Sequence, residues 1–339
     1  MTCSTAARLL AGHDWASRPA HPARRTPVPS LRSAGDRDHG LERTARRGQR
    51  RPGPSPRGLS AECIVLFRII VMCTRPILRY HGGKWILADW IIGNIPNHRI
   101  YVEPFGGAAS VLIKKPRSYA EVYNDLDGEV VNLFRVAREQ GPALRQALRL
   151  TPYSRDEFHA SYIRADDPLE QARRTVVRSF MGFGSNAHNR PTGFRSNSSR
   201  RGTTPASDWR NYPVALEQII ERLQGVVIEN RDALEVMTAH DSEQTVHYVD
   251  PPYVASTRDA GGDYRHEMTD MEHERLSEAL SELSGMVVLS GYQSDLYDDL
   301  YRGWRKVYRK AHADGARERV EVMWLSPNCP NNSLFDMLA

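Results

Sequence analysis

The chain has 339 residues, room for one large domain or two ordinary ones, and carries 46 basic against 41 acidic side chains, a net charge of +5. Its four cysteines, Cys3, Cys63, Cys73 and Cys329, are scattered with no C-x-x-C pair, so neither a disulfide framework nor a zinc site is indicated, and a reducing cytoplasm fits. No segment approaches the ~18 consecutive apolar residues of a membrane span; the run Ile64–Val71 is short and broken by Arg68.

The charge is unevenly placed. Residues 1–71 hold thirteen Arg, no Lys and five acidic residues, so this leader is strongly positive while residues 72–339 carry a slight negative excess. It is rich in Ala, Pro, Gly and Ser with almost no periodic apolar face, and no fold is expected of it. Two readings stand side by side: a disordered tail that attracts nucleic acid, or upstream sequence read from a wrong start, with Met72 the true beginning.

From Arg75 the texture changes. Ile86, Leu87, Trp90 and Ile91 recur at helical spacing, and Asn94, Pro96 and Asn97 predict the end of that helix. Ile100–Val102 predicts a buried strand, followed by a glycine turn and a helix from about Ala108. Tyr119–Tyr123 predicts a second strand ending at Asn124-Asp125, and Val130, Val131, Leu133, Phe134 and Ala137 predict another helix. This alternation predicts an α/β fold with a parallel sheet covered on both faces. Residues 150–215 break the rhythm and are expected to form a smaller inserted subdomain, leaving 72–149 and 216–339 as the main domain. Sheet texture returns at Gly225–Asn230, Val246–Asp250, Met286–Ser290 and Val320–Leu325.

Four features carry chemistry. Asp250-Pro251-Pro252-Tyr253 closes a strand, where open α/β sheets bind ligands. The prolines remove two backbone donors, so the Asp250 and Pro251 carbonyls join the carboxylate as acceptors suited to an exocyclic amine, and Tyr253 suits a flat heterocycle. Phe105-Gly106-Gly107 follows a strand and opens a helix, where free N–H groups face a ligand; no Gly-Lys-Ser/Thr follows, so it is not a phosphate loop. Asp125, eighteen residues past Gly107, is placed to accept ribose hydroxyls or to cap the next helix, a role Asp127 also suits. Finally, Arg173–Arg210 contains eight arginines and one acidic residue, interleaved with Phe180, Phe183, Phe194, Trp209, Tyr212 and several glycines. Such a segment is either a solvated charged surface or one able to follow phosphates, read guanine edges and wedge into stacked bases. Asn186, Arg190, Arg195, Arg200 and Arg201 are its candidate DNA contacts.

Leu78–Lys84, Tyr101–Gly107, Asn124-Asp125 and Asp250–Tyr253 occur in the order that resembles the adenine-N6 DNA methyltransferases whose recognition region lies between the cofactor half and the catalytic tetrad. The resemblance covers roughly residues 76–327. It implies a Rossmann-like sheet, S-adenosylmethionine as cofactor, double-stranded DNA as partner and no metal. It further implies that Tyr80 and Lys84 line the methionine end of the cofactor, with Glu103, Phe105, Gly106, Gly107, Asp125 and Asp250 around it. Asp232 would meet the cofactor's adenine N6, beside the Ala233 N–H. Family members often carry glycine where Ala109 stands. A hairpin within residues 181–201 is implied to enter the duplex beside the target base. The catalytic set is then Asp250, Pro251, Pro252 and Tyr253, acting on an adenine turned out of the stack. Asp250 is viewed as an oriented acceptor rather than a strong base. A monomer is expected, and a cognate restriction endonuclease remains an open partner. Rival readings are methylation of cytosine N4, of RNA or of a protein amide, and a catalytically silent DNA-binding protein.

Overall fold

A computed structural model describes residues 73–198, 202–258, 264–312 and 318–330. The leader 1–71 and the candidate contacts Arg200 and Arg201 lie outside the described residues.

Seven strands form one sheet among the described residues: β1 (Ile100–Glu103), β2 (Ala120–Asn124), β3 (Val226–Glu229), β4 (Thr245–Val249), β5 (Met286–Tyr292), β6 (Arg305–His312) and β7 (Glu318–Leu325). Their order is β3-β2-β1-β4-β5-β7-β6. The first five are parallel, and β7 inserts antiparallel between β5 and β6. β6 escapes the sequence reading because Arg-Lys-Val-Tyr-Arg-Lys offers no apolar run; as the edge strand it needs none.

Side-chain alternation divides the core. In β4 and β5, Val246, Tyr248 and Val288 enter one cluster, while Val249, Val287 and Leu289 enter the other. The first layer holds α1 (Ala88–Asn94), α2 (Ser110–Lys114), α3 (Gly128–Glu139), α4 (Gly141–Leu150), α5 (Arg155–Ala160), α6 (Pro168–Met181) and α7 (Pro205–Leu223). The second holds α8 (Ala233–Ala239), α9 (Asp270–Glu282) and α10 (Asp295–Leu300). This is the expected α/β architecture.

The segment 150–215 is less separate than its composition suggests. Phe158, Val176, Phe180, Trp209 and Tyr212 share the core cluster of Tyr101, Leu112 and Phe134, and the expected edge at residue 215 falls inside α7. Thr204 caps α7 and Pro205 opens it, so the helix starts before the boundary and runs through it. The irregular part is residues 182–198, between α6 and α7.

The chain leaves β1 toward β2 and β3 on one side and returns to β4 and β5 on the other. The loops after β1 and β4 therefore open next to each other, at the switch point of the sheet.

Candidate active site

One cleft lies over this switch point. Its walls come from Tyr80–Lys84, the 103–108 turn, Asn124–Asp127, Arg231–Leu234, Asp250 with Pro252, and Tyr264–Met268. All ten residues that the resemblance assigns to the cofactor line this one cleft. Among the described residues no group of three or more His, Cys, Asp and Glu is set to hold a metal ion, and no helix is long and apolar enough to cross a membrane.

The glycine turn is shaped by its neighbours. A Cβ on Gly106 would stand 2.1 Å from the Tyr123 ring, and one on Gly107 would stand 2.9 Å from Tyr80. Gly107 also has φ +47°, and Ala109, at φ +50°, is the one non-glycine residue in the left-handed region among those described. That conformation costs alanine about 1–2 kcal/mol, which explains why glycine suits the position. Asn124 ties the loops together: its Nδ2 donates to the Pro104 carbonyl (2.9 Å) and the Arg231 carbonyl (3.0 Å), and its Oδ1 accepts from Arg231 N (2.9 Å).

Of the two roles open to Asp125, capping belongs to Asp127, which accepts from Glu129 N at the start of α3. Asp125 instead accepts from Gly107 N (2.7 Å) and Asp127 N (2.8 Å). Burial pushes its pKa up to about 6, partly offset by those two bonds. Burial likewise lifts Glu103 to about 8, against donation from Tyr101 OH (2.7 Å) and Leu112 N (3.1 Å). Asp232 caps α8 through Leu234 N (2.8 Å).

Lys84 is 6% exposed and meets protein carboxylates. Its Nζ lies 2.8 Å from Asp250 Oδ1 and 3.7 Å from Glu321 Oε1, and donates to the Gly82 carbonyl at 2.8 Å. Burial opposes the charge, but Asp250 and Glu321 overturn that and hold the ammonium above the ordinary lysine range. Ser290 Oγ donates to the same Asp250 Oδ1 (2.7 Å). Tyr253 is 6% exposed; its hydroxyl donates to Glu321, its ring meets Tyr292 edge-on (4.7 Å), and Lys84 Nζ sits 4.7 Å from its centre. Pro251 is buried, and neither it nor Tyr253 is part of the cleft wall.

Sequence reasoning missed four contributors. Tyr264 lies against Gly82, and Arg265 pairs with Asp127 (2.9 Å) and Glu129 (3.4 Å) across the cleft. His188, from the arginine-rich segment, stacks on Tyr80 (4.5 Å) and is driven down to about 4 chiefly by burial, so a neutral ring makes the stack. Glu321 had one legible sign, a carboxylate in the otherwise apolar run Val320–Leu325.

The basic segment is partly internal. Arg173 and Arg174 pair with Glu170, Arg173 also with Glu157, and Arg178 with Glu129. Arg195 Nη1 donates to the Phe180 carbonyl (2.8 Å), and Asn186 is only 7% exposed. A bridge between Gly182 and Phe194 closes the loop, leaving Phe183 (73% exposed) and Arg190 at the surface.

The D12 class N6 adenine-specific DNA methyltransferase family matches residues 80–314. The chain belongs to this family. It is 23% identical over 269 residues to the DNA adenine methylase of Escherichia coli strain K12, covering 74% of this chain and 94% of that protein; the methylase of strain O157:H7 gives the same figures. This D12-class protein is therefore an adenine-specific DNA methyltransferase. Methyltransferases of its kind draw on S-adenosylmethionine in general.

Proposed function

We propose that the cleft binds S-adenosylmethionine and presents Asp250 to the N6 amine of an adenine turned out of duplex DNA. One observation carries this reading: the expected cofactor residues and the first residue of the tetrad share a single cleft. The donor set fits the cofactor. Asp125 is a fixed carboxylate for ribose hydroxyls, Phe105 and Leu234 offer apolar wall, and Asp232 with Ala233 opens a helix N-terminus toward a base.

When bound, S-adenosylmethionine supplies an electrophilic methyl group on a positively charged sulfur. The protein's part is to hold and orient the amine. Lys84 and Ser290 both engage Asp250 Oδ1, so Oδ2 is the oxygen left to accept from N6; the Pro251 carbonyl, buried and outside the cleft wall, becomes the second acceptor only when the tetrad opens to the base. Accepting both N–H groups favours the tetrahedral nitrogen that forms during attack, and alignment supplies much of the acceleration. Tyr253 has little free surface, so stacking on the adenine requires its surroundings to open when DNA arrives.

Asp125 makes the cofactor half testable. A carboxylate accepts hydroxyls best when ionised, and burial puts its midpoint at about 6. Affinity for S-adenosylmethionine is expected to be full above that pH and to fall by up to about tenfold per unit below it. Calorimetric titration between pH 5 and 8 reads this, and Asp125→Asn should flatten the acid side. An equally steep fall in that variant removes Asp125 from the site.

We place DNA contact on the 182–198 loop and its flanks, with the helices and sheet on either side of it as the catalytic part. Arg190→Ala is expected to weaken DNA binding by about 1–3 kcal/mol with relaxed choice at one base pair if it reads guanine. If it holds phosphate, all sequences weaken alike with a shallower salt dependence. Binding to cognate and scrambled duplexes at two salt concentrations separates these, and no change in either takes the loop out of the DNA interface.

A further inference from the structure

Glu321 lies beyond the residues matched by the D12 family and outside every expected site. It stands on β7, opposite Tyr292 of β5 and Arg309 of β6, and is 3% exposed. Its carboxylate accepts from Tyr253 OH and lies 3.7 Å from Lys84 Nζ, whose other carboxylate partner is Asp250 at 2.8 Å. One buried ammonium thus serves two carboxylates, one of which belongs to the tetrad. An apolar residue at 321 would satisfy the strand, and burying a carboxylate there is unfavourable unless its partners compensate. Burial does raise the Glu321 pKa, with Lys84 and Tyr253 opposing it.

We propose that Glu321 is a positioning residue for methyl transfer: it fixes the Tyr253 ring through its hydroxyl and shares Lys84 with Asp250, so that Asp250 keeps acceptor strength for the target amine. With Glu321 neutral, Asp250 is the one carboxylate left to balance the ammonium, which then competes more strongly with the incoming N–H groups. Without the hydroxyl's bond to Glu321, the Tyr253 ring loses its hydrogen-bond anchor and keeps its contacts with Tyr292 and Lys84. Both effects act on the bound substrate, so turnover falls while ligand affinity stays.

This inference rests on the proposed role of Asp250, and the test keeps the two apart. Glu321→Gln keeps shape and an acceptor for Tyr253 while removing the charge. Its kcat on duplex DNA is expected to fall about tenfold, with S-adenosylmethionine Kd by calorimetry, KM for DNA and melting temperature near those of the parent. A fall in kcat of less than threefold overturns the proposal, and so does a loss explained by Kd or KM alone. Should Glu321→Gln fail to fold, Tyr253→Phe carries the test, because that hydroxyl donates to Glu321: kcat must fall at least threefold with Kd unchanged, and a smaller fall overturns the proposal. Asp250→Asn runs in the same assay. If it is active, the reading of the cleft fails; if it is inactive while Glu321→Gln is normal, only the role of Glu321 fails.

Discussion

Asp250→Asn is expected to lower methyl transfer to adenine by about 10²–10⁴-fold, the range for removing one oriented catalytic group. The substitution keeps the side chain's shape at the end of β4, and the Ser290 hydroxyl can still donate to its oxygen. It removes the charge and puts a donor where the amine needs an acceptor. Lys84 retains Glu321 and the Gly82 carbonyl, so the fold should survive. Cofactor affinity should change little, because Asp125, the glycine turn and Asp232 are untouched. Single-turnover transfer of a tritiated methyl group reads the first effect and calorimetry the second. Transfer within tenfold of the parent would remove Asp250 from the catalytic role.

Lys84→Met should show the largest stability loss of any single change in the cleft. Breaking a buried ion pair by removing one partner costs about 3–5 kcal/mol, and here two carboxylates lose the same cation. In a domain of this size that lowers the melting temperature by roughly 6–20 °C. The pH dependence has a definite sign. Burial already raises Glu321, and Lys84 is the strongest influence against it. Without the lysine Glu321 holds its proton more tightly in the folded state, so the deficit is greatest at alkaline pH and shrinks as pH falls. Melting curves of parent and variant at pH 5.5 and 8 measure it, and an equal deficit at both contradicts this account of the cluster.

The parts of the site that were legible in the sequence are short motifs at strand ends. Asp250, Asp125 and Phe105–Gly107 each follow an apolar run, and a parallel sheet brings such ends to one edge. What the motifs do locally was less legible. Gly106 and Gly107 mark the turn, yet the missing side chains make room for Tyr123 and Tyr80, an effect of packing that spacing does not encode. The arginine run read as a DNA-contacting segment, but the partners of Arg173, Arg174 and Arg178 lie partly on other helices, at Glu129 and Glu157. Composition separated residues 150–215 because their polar loop is unlike the strands, while the amphipathic faces of α6 and α7 join the common core. Glu321 and His188 reach the site from distant chain positions, and only the fold brings them there.

The central claim is that this D12-class cleft methylates adenine N6 in duplex DNA through Asp250. The most direct measurement is nucleoside analysis of duplex DNA after incubation with the protein and methyl-labelled S-adenosylmethionine. The account predicts label in N6-methyladenine with the parent and about 10²–10⁴-fold slower labelling with Asp250→Asn. Label in N4-methylcytosine, or equal label in N6-methyladenine from both proteins, would contradict it.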